Sequence, residues 1–265
     1  MKKTILTILI LAFCVSISGA GITDKLRAVI AAKNAPAGGG APTYSHHLKC
    51  EDDAATTVVV NDGTEADWIT LFIPDSRLDT EDFNDPTVYK VDSGAFYFDG
   101  GRDGIESDLW DDEKFELKFW IRLDNSAPGG GQYEQWFQIG DTDFSTDQNE
   151  VMVWRTSSSD EICVGIKGNN ASATQKERCT NDWSPSADTW YMIRLNIDAT
   201  IAGTWTVVLE YSTNGTDFTE LTFAAGDWNT GYAASWDNSH AFFGASSNAF
   251  YYTDARIDEI TVEPK

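Results

Sequence analysis

Phe115, Leu117, Phe119, Ile121 and Leu123 alternate strictly with Glu116, Lys118, Trp120 and Arg122. Apolar side chains at every second position suit a β-strand with one dry face and one wet face, and a helix of period 3.6 cannot gather them on one side. The same alternation returns in YEQWFQIG, NEVMVWRT, EICVGIKG, WYMIRLNID, TWTVVLEY and ARIDEITVE. The connectors between these runs are rich in Gly, Asn, Asp and Ser, as turns require. Asn214-Gly215, between VVLEYS and FTEL, is a strong hairpin signal. From Thr43 to the end the chain therefore reads as all-β. Many short strands over roughly 220 residues point to one sandwich rather than two domains.

The first 42 residues differ. Lys2 and Lys3, the apolar run Ile5 to Phe13, and Ser18-Gly19-Ala20 read as a signal peptide over residues 1–20. Phe13 before Cys14 disfavours a lipoprotein reading, and the apolar run is short for a membrane span. The expected product is exported, with no membrane insertion after cleavage. Residues 21–42 read as a short helix, with Ile22, Leu26, Val29 and Ile30 at helical spacing, followed by an Ala/Pro/Gly tether. A helix this short is marginal alone. It docks on a partner, on a sister subunit to form a homo-oligomer, or on nothing, as an inert leader.

Acids outnumber bases 42 to 19, giving a formal net charge of −23. Clustered Lys and Arg are what neutralise phosphates, so nucleic acid is excluded as a partner. Most of the acids suit solubility in an extracellular setting, and a few are candidates for calcium. The terminal strand motivates that reading. Period two carried back from Ile260 and Val262 puts Asp258 on the dry face, where a carboxylate needs a partner. Arg102 is one choice, and a calcium ion shared with Asp99 or Asp103 is another. A frayed, exposed strand start is the third.

Three cysteines follow the signal: Cys50, Cys163 and Cys179. A hairpin folded about residues 168–172 sets Cys163 opposite Cys179. Ile162, Val164 and Ile166 then face inward, leaving Cys163 outside, where a cross-strand disulfide can form. Cys50 is left over, either free and buried or paired between chains.

HHLKCEDDAATTVVVNDG, AFYFDGGRDGIES, FELKFWIRLD, WYMIRLNID, TWTVVLEYSTNGTDF, FFGAS and ARIDEITVE, in that order, resemble the laminin-G-like branch of the concanavalin A-like lectin/glucanase superfamily. The likeness covers residues 43–265. It implies a jelly-roll β-sandwich of two antiparallel sheets with the first and last strands adjacent. It also implies binding more often than catalysis, and a rim calcium, for which Asp99, Asp103 and Asp258 are the positions to test.

Indole rings among polar groups are how sugar platforms are built, the ring stacking on a pyranose while amides and carboxylates take its hydroxyls. Strict alternation puts Trp120 between Lys118 and Arg122 on a wet face. It also puts Glu134, Trp136 and Gln138 together opposite a dry face of Tyr133, Gln135, Phe137 and Ile139. Trp154 shares a face with Met152 and Glu150. The expected ligand set is Trp120, Arg122, Glu134, Trp136, Gln138 and Trp154, and the expected partner a glycan or cell-surface polysaccharide. The competing reading, that these indoles fill space beneath loops, is strongest for Trp190. Trp110, Trp183, Trp228 and Trp236, in loop contexts, are alternative anchors.

Two further readings stay open. The domain can be a structural subunit of an extracellular or virion assembly. It can also be a glycoside hydrolase, because EVMVW resembles the nucleophile strand of one cellulase family, with Glu150 as nucleophile and Glu134 or Glu116 as acid. The Glu-x-Asp-x-x-Glu motif of the laminarinase-like families is absent. His46, His47 and His240 show no link to a tyrosine for lyase chemistry, and His46-His47 reads as a solvated pair.

Overall fold

The computed structural model describes residues 43–50, 52, 58–71, 88–92, 94–99, 104–107, 110, 112–124, 133–140, 150–156, 161–168, 175–180, 182–234, 239–244 and 251–265. These residues belong to one compact unit, Pro42–Lys265. The signal and leader readings, Arg102, Asp103 and Trp236 lie outside the described residues.

The strands are β1 (His46–Leu48), β2 (Val58–Val59), β3 (Trp68–Leu71), β4 (Phe96–Asp99), β5 (Gly104–Glu106), β6 (Lys114–Leu123), β7 (Tyr133–Gly140) and β8 (Glu150–Thr156). They continue with β9 (Ile162–Lys167), β10 (Lys176–Thr180), β11 (Trp190–Asp198), β12 (Thr206–Ser212), β13 (Thr219–Glu220), β14 (His240–Gly244), β15 (Tyr251–Tyr252) and β16 (Asp254–Pro264). A seven-stranded sheet runs β1-β16-β6-β11-β12-β13, with β4 also paired to β16, and a nine-stranded sheet runs β10-β9-β8-β7-β14-β5-β3-β2, with β15 beside β7. Among the described residues, every pairing is antiparallel except the two-residue β15–β7 contact. β1 pairs with β16, His46 opposite Val262, so the first and last strands are adjacent.

Alternation explains most of this sandwich. Phe115, Leu117, Phe119, Ile121 and Leu123 of β6 are buried and meet Tyr191, Ile193, Leu195 and Ile197 of β11 in register. Across the layer stand Phe137, Ile139, Val151, Val153, Ile162, Val164, Ile166 and Phe243 of the other sheet, in one contiguous core. Each such side chain contributes about 1.5–3 kcal/mol by leaving water.

Two β-bulges break the alternation. In β7, Gln135 faces Trp154 and Phe137 faces Val153, so Trp136 is an extra residue. The phase therefore flips on the N-terminal side of Trp136. Glu134, opposite Arg155, and Trp136 itself turn inward, while Tyr133 and Gln135 turn outward. In β16 the register jumps between Asp258, opposite Trp120, and Thr261, opposite Lys118, and Glu259 takes a positive φ of 48°. Ile260 and Val262 stay inward, but Asp258 turns to the outer face beside Trp120.

Asp258 is still fully buried. Its Oδ2 accepts hydrogen bonds from the backbone N–H groups of Lys90 (2.8 Å) and Val91 (2.7 Å). Burial nevertheless raises its pKa to about 7. Lys90 also places Nζ 4.5 Å from the centre of the Trp120 ring. The 88–92 segment thus lies across the outside of the seven-stranded sheet, tied to Asp258 and capping Trp120.

The Cys163–Cys179 disulfide joins directly opposed residues of β9 and β10, outside the core as the hairpin argument requires. Cys50 is free and buried. Closing a loop of this size stabilises by about 3 kcal/mol in the chain-entropy model. Replacing both bridged cysteines with alanine is expected to lower unfolding free energy in urea by that order. An unchanged midpoint would show that the bridge does not constrain the unfolded chain.

His46 corrects the solvated-pair reading. It is buried, stacks on Trp110 at 5.1 Å between ring centres, and accepts the Trp68 indole N–H on Nδ1 at 3.1 Å. Burial lowers its pKa to about 4. The folded state therefore holds the neutral ring, and this contribution is complete above the unfolded value of about 6.5 and lost as pH falls toward 4. Between pH 7.5 and 4, wild type is expected to lose about 3 kcal/mol more than His46→Gln in urea melts. The paired comparison cancels buried carboxylates that titrate in the same range with opposite sign. Parallel losses would discard the assignment.

Candidate functional site

Among the described residues, the outer face of the nine-stranded sheet holds two adjacent glutamine amides that packing does not account for. Register assigns each residue to it. Ile69, Glu106, Phe242, Gln138, Met152 and Gly165 form one row across β3, β5, β14, β7, β8 and β9. The neighbouring row holds Gln135, Trp154, Cys163 and Cys179. Because Trp136 and Phe137 both point inward, Gln135 and Gln138 are consecutive outward residues on β7.

Both glutamines are fully buried although they stand outside the core. All four of their amide nitrogen and oxygen atoms lack a hydrogen-bond partner. Leaving a buried polar group unpaired costs about 1–3 kcal/mol, so two such amides side by side need an explanation beyond folding. Around them the wall is apolar. Met152 and Trp154 cluster with Cys163 and Cys179, and the Trp154 indole lies over Gly165, where a Cβ would sit 3.0 Å from the ring. Phe242 is buried on the β14 side.

At one end of this face, His240 Nδ1 lies 2.8 Å from Glu106 Oε1 and 2.9 Å from the Ser107 carbonyl oxygen. At the other end Tyr133, also outward, is 44% exposed, whereas Gln135, Gln138, Phe242 and Trp154 are almost wholly buried. Tyr133, Gln135, Glu106 and His240 were missing from the sequence expectation. A readable signal did exist: Trp136-Phe137 is a pair of large apolar residues inside an alternating strand, which is what a bulge with two inward positions requires.

The six expected ligand residues separate into three places. Gln138 and Trp154 lie together on this face. Glu134 and Trp136 are instead interior, because the bulge reverses their direction. Glu134 Oε2 is 2.7 Å from Arg155 Nη2, both residues almost wholly buried. Burial holds the Glu134 pKa up at about 7 against the opposing pull of Arg155. Trp120 and Arg122 belong to the other sheet. Trp120 does face outward, but it is only 5% exposed, beneath Lys90 and against Gly215, whose added Cβ would fall 2.9 Å from the ring. Arg122 is held by Asp124 at 3.0 Å and by Asp188.

Other expectations are resolved similarly. Trp110 is buried in the core rather than presented by a loop. Trp183 is partly buried and stacks on Tyr211 at 4.3 Å. Of the hydrolase acids, Glu134 is interior and Glu116 pairs with Lys118 on the seven-stranded sheet, so neither accompanies β8 on its outer face. For calcium, Asp258 takes two backbone amides, and Asp99 pairs with Asp254, about 13 Å along β16 from Asp258 at the usual rise per residue. The structure does not bring these two aspartates together. Among the described residues, the grouping of metal-donor side chains is Cys163, Glu177 and Cys179, and both sulfurs are already joined to each other.

No protein-family model and no curated protein matches the chain. Solved structures do share its fold. An endo-β-1,4-glucuronan lyase from the fungus Trichoderma reesei superposes with a TM-score of 0.52 at 12% identity, covering 84% of this chain and 96% of the lyase. Domain 4 of an extracellular arabinanase from Geobacillus stearothermophilus, solved with arabinotriose, gives 0.51 at 11% identity, with 85% and 94% covered. The receptor-binding domain of botulinum neurotoxin mosaic serotype C/D gives 0.52 at 11%, covering 84% of this chain and 48% of that one. At such identities the likeness concerns architecture alone: the chain is an all-β jelly-roll sandwich of two antiparallel sheets.

Proposed function

We propose that this jelly roll is an exported, non-catalytic carbohydrate-binding module whose ligand face is the outer surface of β14, β7 and β8. The observation that carries the reading is the pair of buried, unpartnered amides of Gln135 and Gln138 beside Trp154 and Phe242. Amides fix sugar hydroxyls and aromatic rings cover the apolar faces of pyranoses. The signal-like N-terminus, the disulfide and the acidic composition support export. The arabinotriose complex of a similarly folded domain supports a glycan ligand. An adhesive role, a laminin-G-like ancestry and a bound calcium belong to the same proposal and rest on the sequence likeness.

Gln138→Leu separates binding from folding. Losing one ligand hydrogen bond and stranding its partner is expected to weaken glycan binding about 10- to 100-fold in calorimetry. Folding stability should hold or rise, because an unpaired amide leaves the interior. A fall in stability with unchanged affinity would remove the site from this face.

A further inference from the structure

We infer that the β14–β7–β8 face selects neutral glycans with free neighbouring hydroxyls and rejects chains bearing carboxylate or sulfate. The inference rests on the glycan-binding reading above and names its ligand class. The four unpartnered amide atoms of Gln135 and Gln138 are two donors and two acceptors. A hydroxyl is itself donor and acceptor, so two adjacent hydroxyls satisfy both atoms of an amide. A carboxylate or sulfate only accepts, so it meets the amide nitrogen but is repelled by the amide oxygen.

The remaining polar groups add the same bias. Glu106 projects on this face as an acceptor, with its Oε1 2.8 Å from His240 Nδ1. An anionic substituent would have to approach that carboxylate and two amide oxygens, all on residues almost wholly buried, where charge is screened little. Among the described residues, the outward lysine of this face is Lys167, at its β9 edge and opposite Glu150 in register. No arginine among them faces outward here to offer the planar, two-pronged grip that carboxylates and sulfates favour. Glu177, opposite Gly165 at the β10 edge, is one more acid on this face; beside it stand Met152, Trp154, Phe242 and the disulfide, which suit the apolar face of a sugar ring. Over longer range the whole chain, at −23, disfavours the approach of a polyanion.

The test is a matched panel in isothermal calorimetry at 150 mM salt with the full mature chain. The probes are linear arabinan, xylan, mannan and mixed-linkage glucan, set against polyglucuronate, alginate and dextran sulfate. Carboxyl-reduced polyglucuronate is the decisive member, since it keeps the backbone and loses the charge. At least one neutral polymer should bind, with loss of at least tenfold in Gln135→Leu/Gln138→Leu, and carboxyl reduction should raise affinity at least tenfold. Equal or tighter binding of the unreduced uronate, lost in the same double variant, would overturn the selectivity while leaving the glycan site in place. Silence across the panel from a folded sample would remove the site and the selectivity together. Binding that the double variant leaves intact would place the ligand elsewhere and overturn both.

Discussion

Arg155→Met is expected to destabilise the domain by about 3–5 kcal/mol at pH 9 and by much less at pH 5. Arg155 and Glu134 stand opposite each other on β8 and β7, facing the interior, with 2.7 Å between charged atoms. Removing the cation strands a carboxylate in a place where charge is costly. Burial already lifts Glu134 to about 7 with Arg155 present. A folded-state value above the unfolded one means that the stabilising form is the protonated acid. That contribution is complete below about 4.5 and fades as pH rises through 7. Without Arg155 the folded value climbs further, so wild type and variant converge in acid and diverge in base. Urea melts at pH 5 and pH 9 read this directly. Glu134→Leu combined with Arg155→Met should recover most of the loss, because an apolar pair of similar volume replaces two desolvated charges. A loss equal at both pH values would mean that lost packing, not the stranded acid, sets the cost.

Trp136 carries the second large effect, and two variants split it. Trp136→Ala removes a fully buried indole and should cost about 3–5 kcal/mol. It keeps the bulge, so Gln135 and Gln138 still face outward and glycan affinity should survive wherever the protein remains folded. Deleting Trp136 removes the extra residue instead. Simple alternation then returns to β7, Tyr133 and Gln135 are driven inward, and Glu134 is turned away from Arg155. Deletion should therefore abolish both cooperative unfolding and binding. If the deletion variant bound sugar as Trp136→Ala does, the bulge would not be what arranges the face. Thermal melts and the same calorimetric titration decide between them.

The fold was legible because burial on one face of a strand leaves period two in the residues. Phe115 to Leu123 and Tyr191 to Ile197 behave as that rule demands. Cys163 and Cys179 were legible for the same reason, since a hairpin and an inward Ile-x-Val-x-Ile run together leave the sulfurs outside. The candidate site was not legible from strict alternation, because one inserted residue reverses every assignment before it. Alternation read straight through Trp136 sent Glu134 to the wet face and Gln135 to the dry one, and both were wrong. Glu259 did the same to Asp258. Neither bulge contains glycine, the residue that most often marks such a site. Trp120 failed differently. Its direction was right, but Lys90, thirty residues upstream, covers it, and no local pattern encodes a cover supplied from a distant segment.

The pairing of β1 with β16 has a mechanical meaning for a module anchored by one end and pulled by the other. Ser45 N–H donates to the Val262 carbonyl at 2.9 Å, and His46, His47 and Leu48 then follow Val262, Thr261 and Ile260 in order. The two chain ends leave this ladder from the same side. Tension between them loads its rungs one after another rather than all at once, so the strands peel apart like a zip. Under load the outermost strand should give way at low force and lengthen the molecule, well before the β6–β11 centre of the sheet feels the pull.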